Sequence, residues 1–142
     1  MKDLDWSNLS FGYRQTDYNV RCYYRDGKWG EIEVCSDEYL KLHMAATCLH
    51  YGQEAFEGLK AYRCPDGKVR VFRMDENAKR LQSTCRGILM PEVPTEMFEE
   101  MVKKVVRLNQ EWIPTYESGA TLYIRPLLIG TSAQVGVHPS KE

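Results

Sequence analysis

The chain has 142 residues, which is the length of one ordinary domain. Its composition is 43% hydrophobic and 27% charged, so the chain can bury a core and is not an intrinsically disordered polypeptide. The net charge is -1 and the basic residues are dispersed, which argues against the clustered basic face of a nucleic-acid-binding protein. No apolar run approaches the roughly 18 residues of a membrane span, and the N-terminus lacks an apolar signal core.

The cysteines and histidines give no sign of a disulfide framework or a metal site. The five cysteines are dispersed, odd in number and contain no C-x-x-C motif; they are Cys22, Cys35, Cys48, Cys64 and Cys85. This pattern favours reduced thiols and a cytoplasmic protein. The three histidines share no spacing typical of metal ligands, so no metal is expected.

The N-terminal third predicts a β-hairpin behind an irregular arm of 17 residues. Residues 18–25 and 28–35 are rich in strand-forming side chains, and Asp26-Gly27 between them is a strong two-residue turn signal. Residues 39–49 show no firm pattern and are expected to be mostly irregular. The first hairpin is therefore expected to pair residues on both sides of Asp26-Gly27.

The stretch LHYGQEAFEGLKAYR, residues 49–63, fits neither helical nor strand periodicity over its whole length. Its first half predicts an irregular turn, and residues 56–64 predict a strand. A turn at Pro65-Asp66-Gly67 leads to an antiparallel partner over residues 68–73. Five residues separate Gly52 from Gly58 and no serine or threonine follows the lysine, so a phosphate-binding P-loop is excluded.

Two helices and a strand complete the predicted elements. Asp75 is a credible N-cap for a helix over residues 75–88, and a second apolar stripe predicts a helix over residues 95–112. Residues 120–129 are apolar on both faces, as a covered central strand would be, although Pro126 removes a ladder donor. The tail predicts a loop. This order predicts an α+β fold of two layers, a mostly antiparallel sheet with helices on one face.

Two arginines are candidate anion-binding residues. Arg80 lies on the polar side of its predicted helix and is either a solvated side chain or a clamp that binds a phosphate through paired hydrogen bonds. Arg125 lies within the apolar strand, where a buried arginine requires a structural carboxylate or a ligand carboxylate. The residues alone leave both choices open, and they show no nucleophile elbow or paired-carboxylate signature.

Four sequence blocks resemble those of one enzyme family when they are read together. LHYGQEAFEGLKAYR, VFRMDENAKRL, LYIRPLLIGT and QVGVHPSKE resemble, in order and spacing, the branched-chain amino acid aminotransferases, fold-type IV enzymes that use pyridoxal 5'-phosphate. The first block alone also suits a D-amino acid aminotransferase or an aminodeoxychorismate lyase, whereas L-Y-I-R-P and the following G-T and V-G-V favour the branched-chain enzymes. A non-catalytic binding module is the alternative from another class.

The resemblance implies roles for seven residues. Arg80 would bind the cofactor phosphate, and Arg125 would bind the side-chain carboxylate of glutamate or 2-oxoglutarate. The walls of a hydrophobic pocket for the substrate side chain would be Tyr51, Phe56, Tyr123, Val135 and Val137. In this family the Tyr51 region and the loop that carries the two valines commonly reach into the neighbouring subunit, so the resemblance also implies a homodimer.

The resemblance further implies that residues 1–142 form the small N-terminal domain, and that the C-terminal domain with the Schiff-base lysine is absent from this chain. Lys60 matches a non-catalytic basic residue of the family, so no residue here is expected to be catalytic. The whole enzyme would exchange the amino group of leucine, isoleucine or valine with 2-oxoglutarate, with branched-chain amino acid biosynthesis as its setting. The chain alone is expected to be inactive.

Overall fold

The computed structural model describes residues 1–142, and every strand pair in it is antiparallel. Strands and helices follow in the order β1 Asn19–Arg21, β2 Tyr24–Arg25, β3 Lys28–Trp29, β4 Glu33–Cys35, α1 Thr47–Tyr51, β5 Glu54–Phe56, β6 Leu59–Arg63, β7 Val69–Val71, α2 Met74–Gly87, α3 Thr95–Leu108, β8 Leu122–Ile124 and β9 Leu127–Ile129. The predicted α+β class is confirmed. The antiparallel sheet is divided into four small sheets, β1-β4, β2-β3, β5-β9 and β7-β6-β8.

The first hairpin forms where the sequence predicts it, in two pieces. Asp26 and Gly27 both have positive φ, 52° and 77°, which suits the right-handed twist of the flanking strands β2 and β3. Between the two pieces, two residues of the first strand face three of the second, the arrangement of a β-bulge. The amide of Gly30 donates to the carbonyl of Tyr23 there, at 2.8 Å, and keeps the two segments together.

The expectation of irregular structure over residues 39–49 is wrong at its end, where the short helix α1 begins at Thr47. Its first backbone amides bond to a distant part of the chain. The amide of Thr47 donates to the backbone carbonyl of Ser132, and the amide of Cys48 donates to that of Gly130. Gly52 then ends the helix in the left-handed conformation (φ 60°, ψ 31°). Tertiary contacts therefore supply the stability that a helix of five residues lacks on its own.

The strand predicted over residues 56–64 begins earlier, at Glu54, within the segment expected to be an irregular turn. Both this strand and the one predicted over residues 120–129 are interrupted once. β5 pairs with β9 and β6 pairs with β8, and the register is the same on both sides: Phe56 faces Leu127, and Leu59 faces Ile124. In between, Glu57-Gly58 face Arg125-Pro126, and we call these four residues the strand break. Pro126 has no N–H, so one rung of the ladder cannot form. The other hydrogen bond between Glu57 and Pro126 does form: the amide of Glu57 donates to the carbonyl of Pro126 at 2.9 Å.

The two long helices confirm the predicted ones to within a few residues, with two corrections. The N-cap of α2 is Arg73, in the left-handed conformation (φ 45°), and Asp75 lies in the first turn, where its charge suits the helix dipole. α3 ends at Leu108, and the predicted continuation to Trp112 is a turn of 3-10 helix. The cause is Asn109, whose side-chain amide donates to the carbonyls of Val105 and Tyr18 at 2.8 and 2.9 Å.

The core lies between the two long helices and the sheet. It contains Ala55, Leu59, Ala61, Ala78, Leu81, Cys85, Val93, Phe98, Val102, Val106, Ile113 and Ile124. All five cysteines are free, and no three histidine, cysteine or acidic side chains come together as metal ligands would. None of the helices has the length and apolar content that a membrane crossing requires.

Candidate cofactor and substrate site

Arg80 forms a two-point ion pair with Glu57 of the strand break. Its Nε donates to Oε1 of Glu57 at 2.8 Å, and its Nη2 donates to Oε2 at 2.6 Å. The Arg80 side chain is 67% exposed, whereas the Glu57 side chain is 3% exposed. A guanidinium has five N–H groups, so three of them remain free in the chain, two of these on the Nη1 and Nη2 edge. Such an edge can hold a phosphate through paired hydrogen bonds.

Glu57 is charged although it is buried. Burial alone would raise its pKa, but hydrogen bonds from Arg80 and Asn77, with the charge of Arg80, hold the pKa below its usual range. The Asn77 side-chain amide donates to Oε2 of Glu57 at 2.9 Å and is also 3.4 Å from the carbonyl of Gly58. Asn77 and Arg80 are three residues apart on α2, so both reach the strand break from one helix face.

Arg125 is exposed, so the expectation that it is buried in a continuous strand is wrong. The interruption at Pro126 places Arg125 outside the ladder and its guanidinium over two aromatic rings. The Cζ atom lies 4.5 Å from the ring centre of Phe56 and 5.3 Å from that of Tyr123. Nε and Nη2 both donate to the Tyr123 hydroxyl at 3.2 Å. No carboxylate of the chain pairs with Arg125, so the structural-carboxylate alternative is excluded within this chain.

Tyr123 is held on its other sides by Gly58 and Phe11. A Cβ at position 58 would lie 2.8 Å from the Tyr123 hydroxyl, so the glycine is what allows the ring to approach the strand break. The ring of Phe11, which is otherwise 86% exposed, meets the ring of Tyr123 edge-on at 5.5 Å. Tyr123, Arg125 and Phe11 line one part of an open groove of about 1700 Å³.

Tyr51 and the two valines form a second group, away from this groove. The amide of Gly136 donates to the Tyr51 hydroxyl, which ties the end of α1 to the loop after Gly130. Val135 and Val137, on either side of Gly136, are 76% and 88% exposed. The chain therefore brings Phe56, Tyr123 and Arg125 together around the strand break. It joins Tyr51 to the valine loop, and no hydrogen bond connects the two groups.

Sequence reasoning missed Glu57, Asn77 and Phe11. Glu57 stands inside the quoted FEG segment, but an acidic residue next to glycine is usually solvated, and only the fold shows that it is buried. Asn77 has a clearer signal, because it lies three residues before Arg80 on a predicted helix and so shares its face. Phe11 has no local signal, since it lies in an arm without periodicity.

No protein-family model matches the chain. Over all 142 of its residues, the chain is 52% identical to the branched-chain-amino-acid aminotransferase of Haemophilus influenzae, and it covers 41% of that protein. The chain thus spans about two fifths of the length of this curated relative.

Solved structures agree with the sequence match. The branched-chain amino acid aminotransferase from Escherichia coli superimposes with a TM-score of 0.64 at 30% identity, over 87% of this chain and 36% of that one. The branched-chain aminotransferase from Thermoproteus uzoniensis with norvaline shares the fold, with a TM-score of 0.62 at 24% identity over 84% of this chain and 36% of that one. In sequence and in fold, the chain is therefore similar to an N-terminal region of the branched-chain aminotransferases, which are fold-type IV enzymes.

Proposed function

We propose that this chain supplies the cofactor-phosphate arginine and the substrate side-chain pocket of a branched-chain amino acid aminotransferase. The reaction would move the amino group between leucine, isoleucine or valine and 2-oxoglutarate. The observation that carries the proposal is the position of Arg125, an exposed cation without an acidic partner that lies on Phe56 and Tyr123. The name of the Haemophilus influenzae relative supports the same reaction.

The two kinds of substrate side chain need opposite surroundings, and this site offers both. The aromatic faces of Phe56 and Tyr123 suit a branched aliphatic chain, which gains by leaving water. The free guanidinium edge of Arg125 suits the side-chain carboxylate of glutamate or 2-oxoglutarate, through hydrogen bonds of roughly 1.5–3 kcal/mol each. One pocket can therefore accept either partner in turn.

The residues around Arg80 fit the phosphate of pyridoxal 5'-phosphate. The three free N–H groups of Arg80 lie on an exposed side chain whose other edge is fixed by Glu57. Pyridoxal phosphate, when bound, supplies the electron sink that transamination requires. The part that this chain plays is to bind the phosphate through Arg80 and to orient the substrate side chain through Phe56, Tyr123 and Arg125.

We assign residues 1–142 to the small N-terminal domain and the Schiff-base lysine to a C-terminal domain outside this chain. We also propose a homodimer, because Val135 and Val137 are exposed apolar side chains that a second subunit would cover. Tyr51 and the valine loop would then line the neighbour's pocket. Five free cysteines support a cytoplasmic location.

The test uses three arginine variants in the full-length protein that carries this chain. Arg125→Ala should lower kcat/KM for 2-oxoglutarate by roughly 10- to 100-fold, because one charge-assisted contact is lost. The kcat/KM for leucine should change much less. Arg80→Ala should weaken cofactor retention more than Arg125→Ala does. Arg86→Ala is the matched control, since Arg86 lies on the same helix in an exposed pair with Glu92. Equal cofactor occupancy in the first two variants would contradict the assigned roles.

Substrate range separates this enzyme from its fold-type IV relatives. Activity on D-alanine without activity on leucine would favour a D-amino acid aminotransferase and overturn the proposal. The chain of 142 residues alone should show no transaminase activity with added cofactor. A steady rate from the isolated chain would overturn the assignment of the lysine to another domain.

A further inference from the structure

We propose that Glu57 is a positioning residue that holds the guanidinium of Arg80 ready for a phosphate group, with Asn77 as its second support. This inference rests on the proposed phosphate-binding role of Arg80. It assigns a function to the one acidic side chain of the strand break, which the substrate-binding residues do not use.

The Glu57 carboxylate is anchored independently of Arg80. Its side chain is 3% exposed, and its backbone amide is bonded to the carbonyl of Pro126 at 2.9 Å. Asn77 holds Oε2 at 2.9 Å, from the same face of α2 that carries Arg80. The carboxylate is therefore fixed from two directions before Arg80 is considered.

The anchored Glu57 carboxylate fixes the orientation of the Arg80 guanidinium. The carboxylate accepts hydrogen bonds from Nε and Nη2, which form one edge of the planar guanidinium. The adjacent edge, formed by Nη1 and the second N–H of Nη2, must therefore point away from Glu57. That edge belongs to a side chain that is 67% exposed, so it is open to a ligand. Without Glu57, the same exposed side chain would sample many rotamers and would have to be ordered by the ligand itself.

The Arg80–Glu57 pair differs from the other ion pairs of the chain. The Arg86–Glu92 pair joins the same helix to the loop after it at a similar distance, 2.9 Å, but its side chains are 59% and 43% exposed. Pairs of that kind are mobile and contribute little. Among the ion pairs of the chain, only Arg80–Glu57 joins an exposed cation to a buried carboxylate that is held by further hydrogen bonds.

Charge and geometry must be separated in the test, because they act in opposite directions. Removing the Glu57 charge strengthens the attraction of Arg80 for a phosphate, while removing the anchor weakens binding. Glu57→Asp keeps the charge and shortens the side chain by one methylene, so it cannot reach both Nε and Nη2. Loss of the anchor is then the main change at Arg80. Glu92→Asp is the matched control, because it makes the same substitution in an exposed pair with Arg86 of the same helix.

The experiment measures the affinity of the full-length apoenzyme for pyridoxal 5'-phosphate and for pyridoxal, which lacks the phosphate. Glu57→Asp should weaken binding of pyridoxal 5'-phosphate by roughly two- to tenfold, the cost of ordering one long side chain, and leave pyridoxal binding unchanged. In an Arg80→Ala background, Glu57→Asp should have no further effect on either ligand. A merely structural role would weaken both ligands alike.

Asn77→Ala gives a second route in case Glu57→Asp fails to fold, because it removes one support of the carboxylate and leaves the charge and length of Glu57 intact. It should produce a smaller loss with the same selectivity for the phosphate. Wild-type affinity for pyridoxal 5'-phosphate in Glu57→Asp and Asn77→Ala, with a large loss in Arg80→Ala, would overturn the inference and leave the proposed function standing. Wild-type affinity in Arg80→Ala would instead overturn the phosphate-binding role itself.

Discussion

The Tyr123 hydroxyl lies directly against Gly58, so that a Cβ at position 58 would meet it at 2.8 Å. Gly58→Ala should therefore displace the Tyr123 ring and break its two hydrogen bonds with Arg125. Because the oxygen is at the end of a side chain that can swing away, we expect the free energy of unfolding to change by less than about 1 kcal/mol. The side-chain Nε–H resonance of Arg125 in NMR spectra reports the loss.

Tyr123→Phe is the comparison for this change, because it removes the hydroxyl and leaves Gly58 in place. The double variant Gly58→Ala/Tyr123→Phe should behave like Tyr123→Phe alone, since the closest contact is gone. An unchanged Arg125 resonance in Gly58→Ala would show that the close approach of Tyr123 does not set the position of Arg125.

The ionised Glu57 carboxylate should make stability depend on pH in the acid range. Its pKa is held below the usual range, so the unfolded chain takes up this proton at a higher pH than the folded chain does. The stabilisation is therefore complete above about pH 5 and is lost as the pH falls below the usual glutamate pKa of about 4.3. Urea unfolding at pH 7, 5, 4 and 3 measures the free energy of unfolding across this range. Glu57→Gln should remove part of the pH dependence. If the free energy of unfolding of Glu57→Gln changed with pH in parallel with that of the wild type, the stabilising role of the Glu57 charge would be contradicted.

Gly130→Ala should destabilise the chain, because the added methyl group meets two buried side chains. A Cβ at position 130 would overlap Thr47 Oγ1 and lie 2.8 Å from the Cβ of Ser140, and both side chains are buried. Overpacking of this kind costs roughly 1–3 kcal/mol. Gly87→Ala is the matched control, since its Cβ would meet nothing within 4 Å. At the end of α2 it should be neutral or stabilise by up to about 1 kcal/mol in chemical denaturation.

Asn109→Ala should detach the N-terminal segment from the end of α3. The side chain of Asn109 is buried, accepts the amide of Tyr18 at 3.0 Å and donates to the Tyr18 carbonyl at 2.9 Å. Its loss leaves these backbone groups without partners, at a cost of roughly 1–3 kcal/mol. Thermal unfolding compared with Asn8→Ala, an exposed site without side-chain hydrogen bonds, measures the difference. Equal melting temperatures would contradict the role of Asn109.

Local patterns predicted the parts of the fold that local chemistry determines. The apolar residues Ala78, Leu81 and Cys85 recur at helical spacing and become the buried face of α2. Asp26-Gly27 gives the turn of the first hairpin for a similar reason, since both residues tolerate positive φ. In these places the sequence contains the physical cause of the structure within a few residues.

The strand break could not be predicted in the same way, because its two sides are distant in sequence. Pro126 indicates an interruption of its own strand, but no residue near Glu57 in the sequence indicates that Glu57 lies opposite this proline. The apolar neighbours of Arg125 predict a buried arginine, whereas the break turns its side chain outward onto Phe56. Arg80 could be named as a candidate anion ligand from its helix, but its partner Glu57 becomes visible only in the fold.

The strand break also affects how the chain folds. β5 and β6 precede both long helices and β8 and β9 follow them, so the residues of the break meet only after the chain has closed a loop that contains α2 and α3. Closing such a loop has an entropic cost, and pairings between distant segments form slowly. The site of Arg125 is therefore assembled in the same event that completes the sheet, and a partly folded chain can contain both helices without this site.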